Sequence, residues 1–536
     1  MLGKRAAPLS VRILLLAAAA HPGVTAYMHD TVISVPMLPP AECIFGCAVW
    51  SDLSNSHSDA DQSYVDGLWA DAVVERAAGS SCAIPANLGV PMGAACYCAG
   101  IPAEHVTAWG YCSEPAAPAP QQVNLQYGAS GGELQVAWVT VDRGAPLVGA
   151  PLVEVCGSGG CANYSGRSTR APEPQLPSRV LTYSFVPLPA ALTVPGAAFS
   201  YRALPGAEPA AWSSAFSVRV PARSEPQRMA VFGDQGLYPY SSVGNLIDDA
   251  RAGAIHAVLH LGDLAYNLAM ANGSRGDAYM YALEPLLSRL PMIYVEGNHE
   301  LEGSPFGSYC PAAENCEGRF LNQSAGYLVA GAASGSGTNR FYSLDVGLLH
   351  IVVYNTMQYL GLGGDMKREQ LAWLRSDLAR AAAPAQRARV PWILLATHVP
   401  MYCSALGEEG VGGGSREDIE PLLLEFSVDL YLYGHVHAYE ATWPTANGTV
   451  TRSLVNPPAP VHVLSGAGGP PGAPDVFNAS APADFTRATY SKWSYGRLTA
   501  YNATHLSFEQ VDNEAGTVVD AFTLVQEVRR GGNFKN

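Results

Sequence analysis

No part of the chain carries the roughly 20 consecutive apolar residues that a membrane-spanning helix needs. The apolar run from Ile13 to Ala20 stops at eight. Long Lys/Arg runs are also missing, and the formal charge is −15, which excludes a nucleic-acid or anionic-membrane partner held by bulk charge. Paired Cys-x-x-Cys spacings do not occur, so the cysteines read as disulfide formers and not as a zinc knot. There is no internal repeat and no long low-complexity tract, which leaves globular domains.

A chain of 536 residues is long enough for two or more such domains. Lys4, Arg5 and Arg12, the apolar run, and Val24-Thr25-Ala26 have the layout of a signal peptide cleaved after Ala26, which predicts a secreted protein. Eleven cysteines and six Asn-x-Ser/Thr sites, at Asn163, Asn272, Asn322, Asn447, Asn478 and Asn502, agree with an oxidising compartment. Six of the cysteines, from Cys43 to Cys112, predict a small disulfide-stapled module over residues 27–116, with its pairing left open. Cysteine arithmetic further predicts local pairs Cys156–Cys161 and Cys310–Cys316, with Cys403 left over.

After a Pro-rich linker at 115–120, short alternating segments (123–127, 134–141, 180–186, 199–204, 216–220) predict an antiparallel, fibronectin-III-like β-sandwich over residues 117–222. From 223 to 536 the pattern changes to continuous apolar strands alternating with helical segments, among them Arg368 to Ala382 and Asp418 to Phe426, which predicts an α/β domain. Five polar clusters follow its strands almost at once: Gly233-Asp234-Gln235-Gly236, Gly262-Asp263-Leu264-Ala265-Tyr266, Gly297-Asn298-His299-Glu300, His398, and Gly434-His435-Val436-His437. Ligands of α/β sheets bind at the carboxyl ends of strands, so five such clusters can converge on one site. Two Asp, one Tyr, one Asn and three His are hard oxygen and borderline nitrogen donors without a thiolate, a set that favours first-row metal ions. Seven donors exceed one tetrahedral ion and suit a pair, roughly 3.5 to 4 Å apart, with one carboxylate shared.

In this order the motifs GDQG, GDLAY, GNHE, Leu395-x-x-His398 and GHVH resemble the five motifs of the purple acid phosphatases, binuclear metallophosphoesterases, over roughly residues 118 to 525. The resemblance implies a metallophosphoesterase β-sandwich core flanked by helices. It implies Fe(III) on Asp234, Tyr266 and His437, and Fe(II), Zn or Mn on Asn298, His398 and His435, with Asp263 bridging and His299 facing the substrate. Tyr266 is the diagnostic residue, standing where the wider superfamily commonly has Asp. Ala441 departs from the family's usual Arg, and Met401 to Gly414 has none of the histidines of plant-type members. His398 to Cys403 looks more like the animal-type branch.

The expected function is thus a secreted acid phosphatase that hydrolyses small phosphate monoesters by metal-activated hydroxide, with His299 as a catalytic group, no nucleic-acid partner and no membrane span. Two other readings stand beside it. One is a phosphodiesterase or nucleotide pyrophosphatase on the same metals, and the other a non-catalytic secreted binding protein.

Overall fold

The computed structural model describes residues 119–142, 149–173, 176–206, 212–238, 240–269, 273–301, 316–360, 364–408 and 415–527. The signal peptide, the six-cysteine module, Asn272 and Cys310, and with it the Cys310–Cys316 pairing, lie outside the described residues.

The first domain is the expected antiparallel sandwich. One four-stranded sheet orders Gln121–Tyr127, Leu134–Asp142, Leu176–Pro187 and Arg167–Glu173, and the other orders Gly160–Ser165, Leu152–Gly157, Ala198–Leu204 and Phe216–Arg219. Alternation along Leu134–Asp142 sends Val136 and Trp138 into the main core and Ala137, Val139 and Val141 into a separate cluster on the other face. The hairpin of Leu152–Gly157 and Gly160–Ser165 sets Cys156 opposite Cys161, and the two form the expected disulfide. Cys403 is a buried free thiol, pushed up to about 12 by burial.

Two larger sheets follow. The six-stranded sheet orders Met292–Tyr294, Ala257–His260, Gln227–Phe232, Ser494–Ala500, His505–Asp512 and Val518–Val525. The seven-stranded sheet orders Tyr342–Val346, Leu349–Val353, Trp392–Ala396, Leu430–Tyr433, Val461–Ser465, Tyr439–Thr442 and Thr486–Tyr490. Leu394, Ala396, Leu430 and Leu432 share one core with Val231, Leu498 and Phe508 of the six-stranded sheet. Their neighbours Ile393, Leu395, Tyr431 and Tyr433 turn the other way, onto helices Gly364–Ala382 and Arg416–Glu425 through Leu374, Leu378, Ile419 and Leu423. The strands are thus covered on both faces, as their uniformly apolar runs predict, with the partner sheet on one face, the sandwich core that the family resemblance implies.

The leading strands of each sheet are parallel: Gln227–Phe232, Ala257–His260 and Met292–Tyr294 in one, and Leu349–Val353, Trp392–Ala396, Leu430–Tyr433 and Val461–Ser465 in the other. Their carboxyl ends meet at one edge of the sandwich, where Gly233 N–H donates to the Ser465 carbonyl across the sheets at 2.8 Å. The first domain docks on this fold by polar contacts that bury well: Glu284 accepts from Val123 N–H at 2.9 Å, and Tyr201 Oη donates to the Ser288 carbonyl at 2.8 Å. No helix among the described residues is long and apolar enough to cross a membrane.

Candidate metal centre

All seven expected donors lie at that shared edge. Asp234, Asp263, Tyr266 and Asn298 come from loops of the six-stranded sheet, and His398, His435 and His437 from loops of the seven-stranded one. Adjacent loops are laced by backbone bonds: Asp234 N–H donates to the Gly262 carbonyl, Gln235 N–H to Asp263 and Gly434 N–H to His398.

Backbone strain is concentrated here. Asp234, Asp263, Tyr266, Asn267 and His435 have φ of 56, 54, 52, 83 and 75°. Left-handed backbone is costly for residues with a Cβ, and five such residues persist only because the surrounding loops over-determine them. Close approach explains two glycines. A Cβ on Gly297 would lie 2.2 Å from Asp263 Oδ1, and one on Gly434 2.5 Å from Asp234 Oδ2.

The donors fall into two groups. Tyr266 Oη is 3.0 Å from His437 Nε2 and 3.4 Å from Asp234 Oδ1, while His437 Nε2 is 3.6 Å from the same Asp234 oxygen. In the second group Asn298 Oδ1 is 2.9 Å from both His398 Nε2 and His435 Nδ1. Asp263 Oδ1 lies 3.4 Å from His398 Nε2, and single donor atoms of Asp263, His398 and His435 all fall within 4.8 Å of one another.

This donor set fits metal ions. His398 Nδ1 donates to the Leu261 carbonyl at 2.7 Å, so in the neutral ring the Nε2 lone pair points at two oxygens that are themselves acceptors. Acceptors facing one another at this range repel unless a cation or a proton stands between them. The ion-free electrostatics express the same need. Burial and the nearby Asp263 raise Asp234 well above the carboxylate range, against the pull of His398. Burial opposes ionisation of Asp263 too, but His398 and His299 outweigh it and hold Asp263 well below the usual value. For His398, burial disfavours charge, yet Asp263 and Asp234 push the ring up to about 9. Burial and the neighbouring His398 push His435 down to about 3. Tyr266 is driven well up by burial and by Asp234.

Three contributors were not assigned from the sequence. Glu300, fully buried, accepts from the N–H groups of Asp263 (2.8 Å), Leu264 (2.9 Å) and Gly297 (3.0 Å), clamping two donor loops together. Its place in the GNHE motif was the available signal. Asp475 accepts from His437 N–H at 2.7 Å and lies in a loop with no legible pattern. Asn267 Oδ1 is 2.9 Å from His299 Nδ1, and the only hint was its position after Tyr266. His299 itself stands beside the site, its ring 4.6 Å from that of Tyr266 and its Nε2 3.9 Å from Asp263 Oδ2.

The chain is also similar to known proteins. Residues 228–439 match the calcineurin-like phosphoesterase family, and residues 459–521 match the iron/zinc purple acid phosphatase-like protein C family. Acid phosphatase type 7 of Homo sapiens is 32% identical over 440 residues, 78% of this chain and 93% of that protein. The Danio rerio acid phosphatase type 7 is 33% identical over 320 residues, 56% and 68% of the two chains. Purple acid phosphatase 18 of Arabidopsis thaliana is 29% identical over 420 residues, 77% and 86%. A solved purple acid phosphatase from yellow lupin seeds, PPD1, shares the fold with a TM-score of 0.61 at 21% identity, over 77% of this chain and 75% of that one.

Fold and site together define a metal-dependent phosphoesterase. The chain belongs to the purple acid phosphatase family, acid phosphatases whose binuclear centre holds iron and zinc or similar metals. At the family's arginine position, Ala441 is fully buried, and the preceding Glu440 is satisfied by Ser404 N–H, Ser404 Oγ and Thr486 Oγ1.

Proposed function

We propose that the protein is a secreted acid phosphatase acting on small phosphate monoesters, with Asp234, Tyr266 and His437 holding Fe(III) and Asn298, His398 and His435 holding Fe(II), Zn or Mn. Asp263 would serve both metals. The observation that carries this reading is the pair of oxygen–nitrogen donor groups on adjacent loops, with acceptor atoms of the group that includes Asp263 opposed at 2.9 to 3.4 Å. A phenolate is a hard donor, which favours the trivalent ion on the Tyr266 side. Bound there, the metals would supply Lewis acidity to the phosphate oxygens and would lower the pKa of a water.

The protein's own groups do the rest. Glu300 and Asp475 hold the donor loops so that little reorganisation is needed at reaction. His299, anchored by its backbone N–H to Asp263 Oδ1 at 3.0 Å, is near enough to serve the leaving group without being a ligand. As the bond from phosphorus to the alkoxide breaks, its Nε2–H gives a proton to the departing oxygen. Secretion is supported by the N-terminal sequence layout and by Asn163, Asn447, Asn478 and Asn502, all exposed acceptor sites.

Metal analysis of the purified protein, paired with rates on p-nitrophenyl phosphate and on its bis-ester, tests the proposal. Two metals per chain and a strong preference for the monoester are expected. A preference for the diester would replace the monoesterase reading, and metal-loaded protein inert on both would leave a binding protein.

A further inference from the structure

Asn267 stands at the inner wall of the site and has no place in the reading above. It is fully buried, and its backbone, like that of Tyr266 before it, is left-handed, with φ of 83° against 52°. Two consecutive residues with a Cβ in this region are costly, and asparagine tolerates it better than most. In this conformation the carboxamide Oδ1 lies 2.9 Å from His299 Nδ1. Among the described residues Nδ2 of Asn267 has no hydrogen-bond partner, so the side chain is not held there by a network of its own.

We propose that Asn267 is a positioning residue for His299, its carboxamide oxygen accepting from Nδ1–H and thereby fixing which nitrogen faces the substrate. The inference rests on the acid role given to His299 above. An acceptor opposite Nδ1 keeps the hydrogen on that nitrogen in the neutral ring as well as in the charged one, so Nε2 is always the atom presented to the pocket. The ring is also packed by Tyr266, the centroids 4.6 Å apart and the planes at 62°. Bonded by Asn267 at Nδ1 and packed by Tyr266, the imidazole has neither a free flip nor a free tautomer. Histidines that work through one nitrogen need this kind of restraint: with a hydrogen already held on Nδ1, the proton that makes the ring an acid is carried on Nε2, the atom facing the pocket.

The test is a double-mutant cycle. Asn267→Gly removes the carboxamide while tolerating the positive φ, His299→Ala removes the ring, and the two are combined. Turnover is read on an alkyl phosphate, whose leaving group needs a proton, and on p-nitrophenyl phosphate, whose leaving group does not, together with metal content. Asn267→Gly is expected to retain both metals, to lose about tenfold or more on the alkyl phosphate, to lose little on p-nitrophenyl phosphate, and to add nothing once His299 is Ala. Asn267→Asp, which keeps an acceptor opposite Nδ1, should stay within about threefold of the parent on the alkyl phosphate. A crystal structure of the Gly variant should show the His299 ring in a changed or mixed orientation. Additive losses, metal depletion, equal losses on both substrates, or an unmoved ring would overturn the positioning role. If His299→Ala shows no leaving-group dependence, the acid reading of His299 fails and this inference with it; if only Asn267 fails to couple, the acid reading survives.

Discussion

Tyr266 concentrates the chemistry of a single residue. Its hydroxyl lies between His437 and Asp234, its ring packs on His299, and its φ is left-handed. Replacing it with Phe keeps the packing and deletes the oxygen. The expected result is loss of the visible absorption that a phenolate–Fe(III) pair gives. An unaltered spectrum in an iron-loaded variant would remove Tyr266 as a ligand. Gly297 is the complementary case, since a methyl there would overlap Asp263. Gly297→Ala is expected to fold, because the overlap is local, but to bind the second metal at least tenfold more weakly in a chelator competition. At this scale the sequence was legible where a residue's identity is its function: Asp234, Asp263, Asn298 and His435 each follow a glycine just past an apolar run. Glu300, Asp475 and Asn267 were not assigned because each acts on a backbone N–H or a ring that only the folded chain brings within reach.

Loops and strands carry their own signature. Glu300 takes three N–H groups from two loops, and those loops deliver Asp263 and Asn298. Glu300→Gln swaps one accepting oxygen for an NH2 that faces donors, a buried mismatch costing about 1–3 kcal/mol. It should lower metal affinity roughly 10- to 100-fold in equilibrium dialysis while leaving the ligand set unchanged. Retained affinity would show that the backbone bonds alone hold the loops. Among whole elements, the parallel strands were readable because burial on both faces leaves them uniformly apolar, as in Trp392–Ala396 and Leu430–Tyr433. Ser494–Ala500 and Val518–Val525 escaped because outward residues such as Arg497, Thr499 and Asp520 break the apolar run. The hairpin at Cys156–Cys161 escaped for a related reason: Gly160–Ser165 is almost wholly exposed and has no apolar face to read.

Glu284 offers a test at the scale of the whole molecule. It is buried where the first sandwich meets helix Ser274–Leu287, and burial, opposed by the Val123 and Gln122 N–H groups, pushes it up to about 8. The folded protein therefore keeps this proton through a range in which the unfolded chain has released it. Its contribution to stability is complete below the ordinary glutamate value near 4.5 and declines as pH rises towards 8. Apparent melting temperatures measured from pH 5 to 8 should fall with pH, and Glu284→Gln should flatten that slope. Equal slopes would mean that Glu284 is not the group responsible. The division of donors between sheets has a mechanical consequence. Asp234 and Tyr266 belong to one sheet and His437 to the other, and Asn298 faces His398 and His435 across the same divide, so each metal position proposed above would be a cross-link between two layers whose contact is mainly apolar. Ligation would then act as a clasp at the open edge of the sandwich. Because the unfolded chain cannot close it, the melting temperature of the zinc-loaded protein should climb with the logarithm of free zinc and collapse on chelation. Starving the protein of metal would cost it endurance as well as turnover, and a melting temperature indifferent to zinc would show that the layers hold without the clasp.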